Sequence, residues 1–276
     1  DPDQLFTGAM PDLDLFDATE PSAEELIERA KATEETALAV EGITNSEGAE
    51  ADWGMWEIAL AASNGFSGGY RNSRHSISTS VLAGEGTEME SDYDYCSVVH
   101  GADLKDPAAV GRRAAERTIA KLNPRKGPTG KVPVVYHPRV SGGLVRHLAS
   151  AINGSSIAKG TSFLKDRLHE QVMHASINVV EDPHRARGLG SKPFDAEGLA
   201  NRRKNLVDNG VLTTWVLDLR TARQLGMEST GNASRGTASA PSPSLTNLYI
   251  EAGDITRAEM IGDIDNGFFV TSLMGM

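Results

Sequence analysis

The sequence predicts a soluble, acidic protein of mixed helix and strand, and three features carry that prediction. A capping-box sequence at Ser22-Ala23-Glu24-Glu25 opens a helical period. Short β-type runs separated by turn residues fill 43–100. A stretch rich in proline and glycine, 123–133, divides this part from the rest.

The first 21 residues mix Asp, Pro and scattered apolar side chains such as Leu13, Leu15 and Phe16 without a sustained period. They read as an extended lead-in that packs a few side chains. In the helix that follows, over about 22–41, the Ser22 hydroxyl and the Glu25 carboxylate satisfy each other's free amides, and Leu26, Ile27, Ala30, Ala37 and Leu38 recur at helical intervals. Next come the runs Trp56–Ala62, Phe66–Asn72, His75–Leu82 and Glu88–Val99. Asn64-Gly65 between the first two marks a hairpin, for which a type I′ turn needs positive φ at both positions. Four such runs make an antiparallel meander, and Ser76, Ser78 and Ser80 give it one solvated face.

Asp106-Pro107 opens a second helix, with Val110, Ala114, Ala115, Thr118 and Leu122 as its buried stripe and an end near Leu122. Pro124, Gly127, Pro128, Gly130 and Pro133 then form a linker, and its basic neighbours Lys121, Arg125, Lys126 and Lys131 read as solvated. Val132–His137 reads as a buried strand, Gly142-Gly143 as a turn, and Leu144, Val145, Leu148, Ala149 and Ile152 as one side of a helix that Gly154 stops. Strands are expected at Ile177–Val180 and Val211–Leu217, around a loop at Pro183–Gly198. A short helix is expected at Thr221–Leu225 and a mobile loop at Ser229–Pro243. A second capping box, Thr256-Arg257-Ala258-Glu259, opens a helix that Gly267 ends before a strand at Phe268–Leu273.

Composition excludes several classes of function. With 276 residues and 39% hydrophobic content the chain can bury a sizeable core. Its 27 basic and 38 acidic residues leave a net charge of −11, which argues against nucleic acid or an anionic membrane as partner. The single cysteine, Cys96, excludes an intrachain disulfide and suits the cytoplasm. No apolar run reaches the roughly 20 residues that cross a bilayer. The chain opens at Asp1 and stops at Met276, so either end is a candidate truncation.

The local motifs for chemistry are weak. His169-Glu170-Gln171-Val172-Met173-His174 offers two imidazoles and a carboxylate for zinc, with Glu170 as general base. Residues five apart lie about 140° from each other on a helix, however, so the preferred reading is two surface histidines near a helix end. Cys96 reads as a buried structural thiol, and no serine sits in G-x-S-x-G. His184 with Arg185 and Arg187 reads as a solvated cluster, and Trp53, Trp56 and Tyr70 as core in preference to an aromatic surface. The glycine turn after Val132–His137 lacks any phosphate-loop pattern.

Several stretches together resemble the TldD/PmbA family, in order and over essentially the whole chain. They are Pro11–Phe16, Thr44–Gly48, Gly69-Tyr70 with Ser73–Ser76, Met89–Tyr93, Pro124–Lys126, Ser162–Leu164, Pro193–Gly198, Leu225-Gly226 to Gly231 and Val270–Gly275. The likeness is closest to the PmbA (TldE) branch.

The resemblance implies an α+β protein with an antiparallel-sheet middle domain flanked by helices, then a β-rich C-terminal domain of mixed helix and strand. On this chain 1–21 is the lead-in from a missing or truncated N-terminal domain, 22–122 the middle domain, 123–133 the linker and 134–276 the C-terminal domain. In the zinc-binding TldD branch an H-E-x-x-x-H helix follows the strand and glycine turn. Here Arg146 stands for the first His, His147 for Glu and Ala151 for the second His. A guanidinium at a ligand position repels a divalent cation.

The implied role is therefore a subunit without metal or other cofactor, paired with a TldD-type subunit that carries zinc. Together they degrade unstructured peptides and trim peptide precursors, and self-association is allowed. The candidate peptide-binding loops, by position, are Lys159-Gly160-Thr161-Ser162 and Thr230-Gly231-Asn232-Ala233, whose backbone groups are expected to be open to an extended peptide. The rival readings are a self-sufficient zinc peptidase using His169, Glu170 and His174, and a stand-alone peptide-binding module.

Overall fold

The computed structural model describes residues 4–273, and Met274-Gly275 of the family-like C-terminal stretch lie outside them. Helix α1 (Ala23–Leu38) carries the expected capping box, and α2 (Pro107–Ile119) opens on the Asp106 side chain, which accepts from Ala108 N. Both pack on one antiparallel sheet of order β1-β2-β3, made of β1 (Ile43–Ala61), β2 (Ser67–Ala83) and β3 (Glu90–Val98). The α+β class holds, but the meander has three long strands in place of four short ones. The runs at 66–72 and 75–82 are one strand, and β1 begins at Ile43, where Gly48 and Gly54 blur the alternation that marks a strand.

The hairpin turn also differs. Of Asn64 and Gly65 only Gly65 has positive φ (+97°), and Gly65 N donates to Ala62 O while Ala62 N donates to Phe66 O. That is the longer loop closed by a glycine bulge, which needs a left-handed residue at one position only.

The face of this sheet toward the helices presents Ile77, Val81, Ala83 and Cys96 to Ala37, Val110, Ala114 and Ala115. Cys96 is buried and free, as expected. The opposite face bears Ser76, Ser78, Ser80, Tyr93 and Tyr95. It is less solvated than expected at Ser76, which is buried with its hydroxyl on the Asp52 carboxylate.

The lead-in is tied down at several points. Leu13 and Leu15 are buried, Ser73 N donates to Leu15 O (2.9 Å), and Asp17 accepts from Gly101 N (2.8 Å). Arg187, which takes a positive φ of 53°, clamps Asp14 and Asp103, so this arginine is not merely solvated.

His75 is buried against Asp17, its Nε2 3.3 Å from Asp17 Oδ2. Burial pushes the His75 imidazole below its ordinary pKa, against the pull of Asp17. Burial works the other way on Asp17, but hydrogen bonds from Thr19 and Gly101 and the charge of His75 outweigh it and hold the carboxyl at about 2. Below pH 6.5 the unfolded chain takes up a proton that the folded imidazole resists, so stability falls with pH there. The Asp17 contribution is complete above 3.8 and goes as pH falls toward about 2. The urea midpoint is therefore expected to drop between pH 7 and pH 5, and less steeply in His75→Phe. A midpoint flat over that range in the natural protein would contradict the assignment.

The second half of the chain folds around another core. Residues of α3 (Pro138–Ala151) and α4 (Gly154–Ala158) pack with Leu206, Leu212, Trp215 and Leu217. They lie against a four-stranded sheet of order β10-β5-β6-β7, made of β5 (Val179–Glu181), β6 (Lys204–Asp208), β7 (Val211–Leu212) and β10 (Leu248–Ile250). Strand β6 lacked a sequence signal, because flanking Arg and Lys hide its apolar Leu206-Val207.

Other expectations shift. The predicted buried strand is β4 (Val134–Tyr136), half exposed in a parallel ladder with β11 (Phe268–Val270). Gly142-Gly143 is no turn, because His137 Nδ1 accepts from Arg139 N and starts α3 before the glycines. Gly154 begins α4 and does not stop α3. A Cβ there would lie 2.7 Å from Leu217 Cδ2 and 2.8 Å from Val216 O, so glycine serves close packing.

Helix α5 (Leu219–Leu225) starts two residues earlier than expected, on the Asp218 cap. The loop 229–243 contains a short ladder of β8 (Ala233–Ser234) with β9 (Ser242–Pro243), and its first part is buried. Helix α6 (Arg257–Gly262) has its capping box but ends before Gly267, and the last strand stops at Val270. No helix among the described residues is long and apolar enough to cross a membrane. Tyr70 belongs to a cluster with Phe66 and Phe194, while Trp56 is exposed, so the three expected aromatics do not share a core.

Candidate functional site

Helix α3 places the motif-matching residues on different surfaces. Arg146 and His147 are exposed, and Ala151 faces the core. A divalent cation would find there a guanidinium, one imidazole and a methyl group, so these residues do not fit a metal.

His169, Glu170 and His174 do not converge either. They lie on turns and not at a helix end, His169 has φ +65°, Glu170 pairs with Arg167, and His174 Nδ1 is 2.8 Å from Ser176 Oγ. Among the described residues no three His, Cys, Asp or Glu side chains group where a metal could be held.

The two expected peptide loops differ from each other. Lys159, Gly160 and Thr161 are exposed, whereas Ser162 is buried and its hydroxyl donates to Ala151 O (2.5 Å). At 230–233 the expectation of open backbone groups fails. Thr230 O accepts from Lys204 Nζ, Asn232 O from Ser244 N and Ala233 O from Ala196 N, while Ala233 N donates to Asp195 Oδ2.

That second loop closes over a buried ionic network. Glu181, 1% exposed at the end of β5, accepts from Asn232 Nδ2 (2.9 Å), Thr246 N (3.2 Å) and Thr246 Oγ1 (2.8 Å), and pairs with Lys204 at 3.1 Å. Lys204 also donates to Thr230 O (2.6 Å) and Asn232 Oδ1 (2.7 Å), so two of its three protons are hydrogen-bonded and its charge faces Glu181. Lys192 donates to Ala233 O (2.9 Å), and Asp195 accepts from Glu197 N, Leu199 N and Ala233 N.

Burial lowers the pKa of both lysines, against the attraction of Glu181 and Asp195. Burial also raises Asp195, against its amide donors. With two hydrogen bonds to the 230–232 loop and an ion pair to Glu181, Lys204 ties that loop to β5 and β6. Asp195 lies in the family-like stretch Pro193–Gly198, a hint in the sequence. Glu181, Lys192 and Lys204 had none. His184 also belongs to this half, with Nε2 2.7 Å from Asn201 Oδ1, so it is not part of a solvated cluster.

A second polar centre is open to solvent. The basin, about 460 Å3, lies between the β3 end of the first sheet, the turn after α2 and α3. Its floor is Asp92, 5% exposed, which takes Arg139 Nη2 at 2.7 Å and Lys121 Nζ at 3.0 Å. Burial opposes ionisation of Asp92, but Arg139, the Tyr93 amide and Lys121 hold its carboxyl below the ordinary value. The Arg139 guanidinium also lies 4.4 Å from the Tyr93 ring centroid. Arg146 lines the same basin, with Ser91, Gly143, Thr271 and Ser272. Sequence reading took Lys121 for linker charge because its partner Asp92 is distant in the chain.

Comparison with known proteins gives one answer over both halves. Residues 16–122 match the model of the PmbA/TldA metallopeptidase central domain, and 129–276 that of the PmbA/TldA metallopeptidase C-terminal domain. The chain is 38% identical over 273 residues to the metalloprotease PmbA of Escherichia coli O157:H7, covering 99% of this chain and 59% of that protein. It is 35% identical to a Haemophilus influenzae PmbA homologue, over 96% of this chain and 57% of that protein. The crystal structure of a Bacteroides thetaiotaomicron protein named for modulation of DNA gyrase superposes with a TM-score of 0.90 at 31% identity, over all of this chain and 61% of that one. The chain thus spans about three fifths of the length of the relatives it matches.

Proposed function

The chain belongs to the TldD/PmbA family of metallopeptidases, and from that premise we propose that it is the subunit without metal in a two-component cytoplasmic peptidase. Its partner is a TldD-type subunit that carries the zinc, and the pair cuts unstructured peptides and peptide precursors. The observation that carries this reading is the surface of α3: Arg146, His147 and Ala151 stand where metal ligands and a general base would be needed, and Ala151 is turned into the core. A cation and a methyl group at those positions disfavour zinc electrostatically and offer it no lone pair. Lys159, Gly160 and Thr161, exposed at the end of α4, remain the loop offered to a peptide.

The test is zinc content by elemental analysis of the tag-free, full-length protein, with cleavage of an unstructured peptide measured with and without a TldD-type subunit. The expected result is no stoichiometric zinc and cleavage only in the mixture. One zinc per chain with cleavage by the chain alone would overturn the proposal, and His174→Ala would then show whether His169, Glu170 and His174 hold it. Binding without cleavage in any mixture would favour the stand-alone peptide-binding module.

A further inference from the structure

We propose that the basin between β3, the turn after α2 and α3 binds the C-terminal carboxylate of an extended peptide, with Arg146 as the principal contact and Arg139 and Lys121 behind it. The inference deepens the peptidase-subunit reading and rests on it for the peptide, while the basin itself rests on charge and geometry.

The chain as a whole carries −11, yet this basin reverses the sign. Asp92 on the floor faces two cations, Arg139 and Lys121, so one positive charge remains after that pairing. Arg146 adds another, and among the described residues it has neither an ion pair nor a hydrogen bond. Glu47 at the rim accepts from the Ser80 hydroxyl but keeps its negative charge, so the charged residues lining the basin leave a net +1. Arg139, Gly143 and Arg146 are spaced i, i+4 and i+7, so they share one face of α3, and the glycine leaves room between the two guanidinium stems. An anion held there is planar and small enough to accept from a fork, as a carboxylate is.

The local backbone favours a peptide as the source. Strand β11 runs directly into the basin, whose wall includes Thr271, Ser272 and Leu273. Its ladder has only β4 on one edge, and among the described residues no strand covers the other. A peptide adding parallel to β11 on that edge directs its C-terminus toward Arg146, with Ser272 and Thr271 hydroxyls at hand as further donors.

The experiment compares two peptides of identical sequence, N-terminally acetylated and fluorescently labelled, one a free acid and one a C-terminal amide. Binding to the full-length protein is read by anisotropy. The acid is expected to bind at least about tenfold more tightly than the amide, the loss of one charge-assisted contact. Arg146→Gln, a change at an exposed position, is expected to weaken the acid to the level of the amide while leaving the amide unchanged. Ser272→Glu, which adds a like charge to the wall by an independent route, is expected to weaken the acid alone. Equal binding of acid and amide by the natural protein, binding of neither, or an acid preference that survives Arg146→Gln overturns the basin assignment. Cleavage of the amide by the mixture with a TldD-type subunit is measured in parallel, because it tests the subunit reading independently of the basin.

Discussion

Glu181→Ala is expected to destabilise the fold by about 3–5 kcal/mol, a large part of the roughly 5–15 kcal/mol that a domain typically has. The carboxylate is 1% exposed and serves Lys204, Asn232 and both donors of Thr246. Removing it leaves an ammonium in an environment that already penalises its charge, and takes an acceptor from the Asn232 side-chain amide, the Thr246 backbone amide and the Thr246 hydroxyl. The loss is therefore dominated by what remains unpaired, and not by the attraction of the ion pair itself. Glu181→Leu combined with Lys204→Met is expected to recover part of it, because the buried charge goes too. Recovery is incomplete because Thr230 O and Asn232 Oδ1 still lose the Lys204 donor. Chemical unfolding of Glu181→Leu, Lys204→Met and the double variant forms a cycle, in which a coupling below about 0.5 kcal/mol would mean that the pair does not act as a unit.

Gly111→Ala is the second substitution with a large expected effect, and its sign is decided by two opposing magnitudes. In an ordinary helix interior the change gains about 1 kcal/mol. Here α1 and α2 approach so closely that a Cβ on Gly111 would lie 2.1 Å from Thr33 O and 3.2 Å from Ala37 N. Both neighbours are backbone, which cannot rotate away, so the helices must separate and loosen the packing of Ala37 on Ala114 and Ala115. Overpacking of this kind costs typically about 1–3 kcal/mol, and a contact this short belongs at the upper end. A net loss of about 2 kcal/mol is expected in denaturant unfolding. An unchanged or raised midpoint would show that the helix pair yields more readily than its backbone contact implies.

What the residues by themselves determined is local. The helices at 23–38, 107–119 and 257–262 start where capping residues predict, because a cap is a contract between side chains and amides three residues apart. The position of the turn at Asn64-Gly65, though not its type, and the family likeness were also readable along the chain. The arrangement of strands was less so. Ile43–Met55 looked irregular because its partners, Ser73–Ala83, supply the order through pairing and not through alternation within β1.

Only the tertiary structure decided the sites. Glu181 meets Thr246 and Asn232 across 65 and 51 residues, and Asp92 meets Arg139 across 47, separations at which no spacing rule applies. Loop Thr230–Ala233 looked open in sequence because glycine and hydroxyl residues favour loops. In the fold its backbone groups are consumed by Lys204, Ser244, Ala196 and Asp195. Arg146, read from the sequence as a residue that replaces a ligand, is placed by α3 beside Arg139 and Lys121 in a basin of its own. Charges gather there because burying Asp92 requires cations from α3 and from the turn after α2 together, and a buried carboxylate is stable only where the fold brings such partners to it.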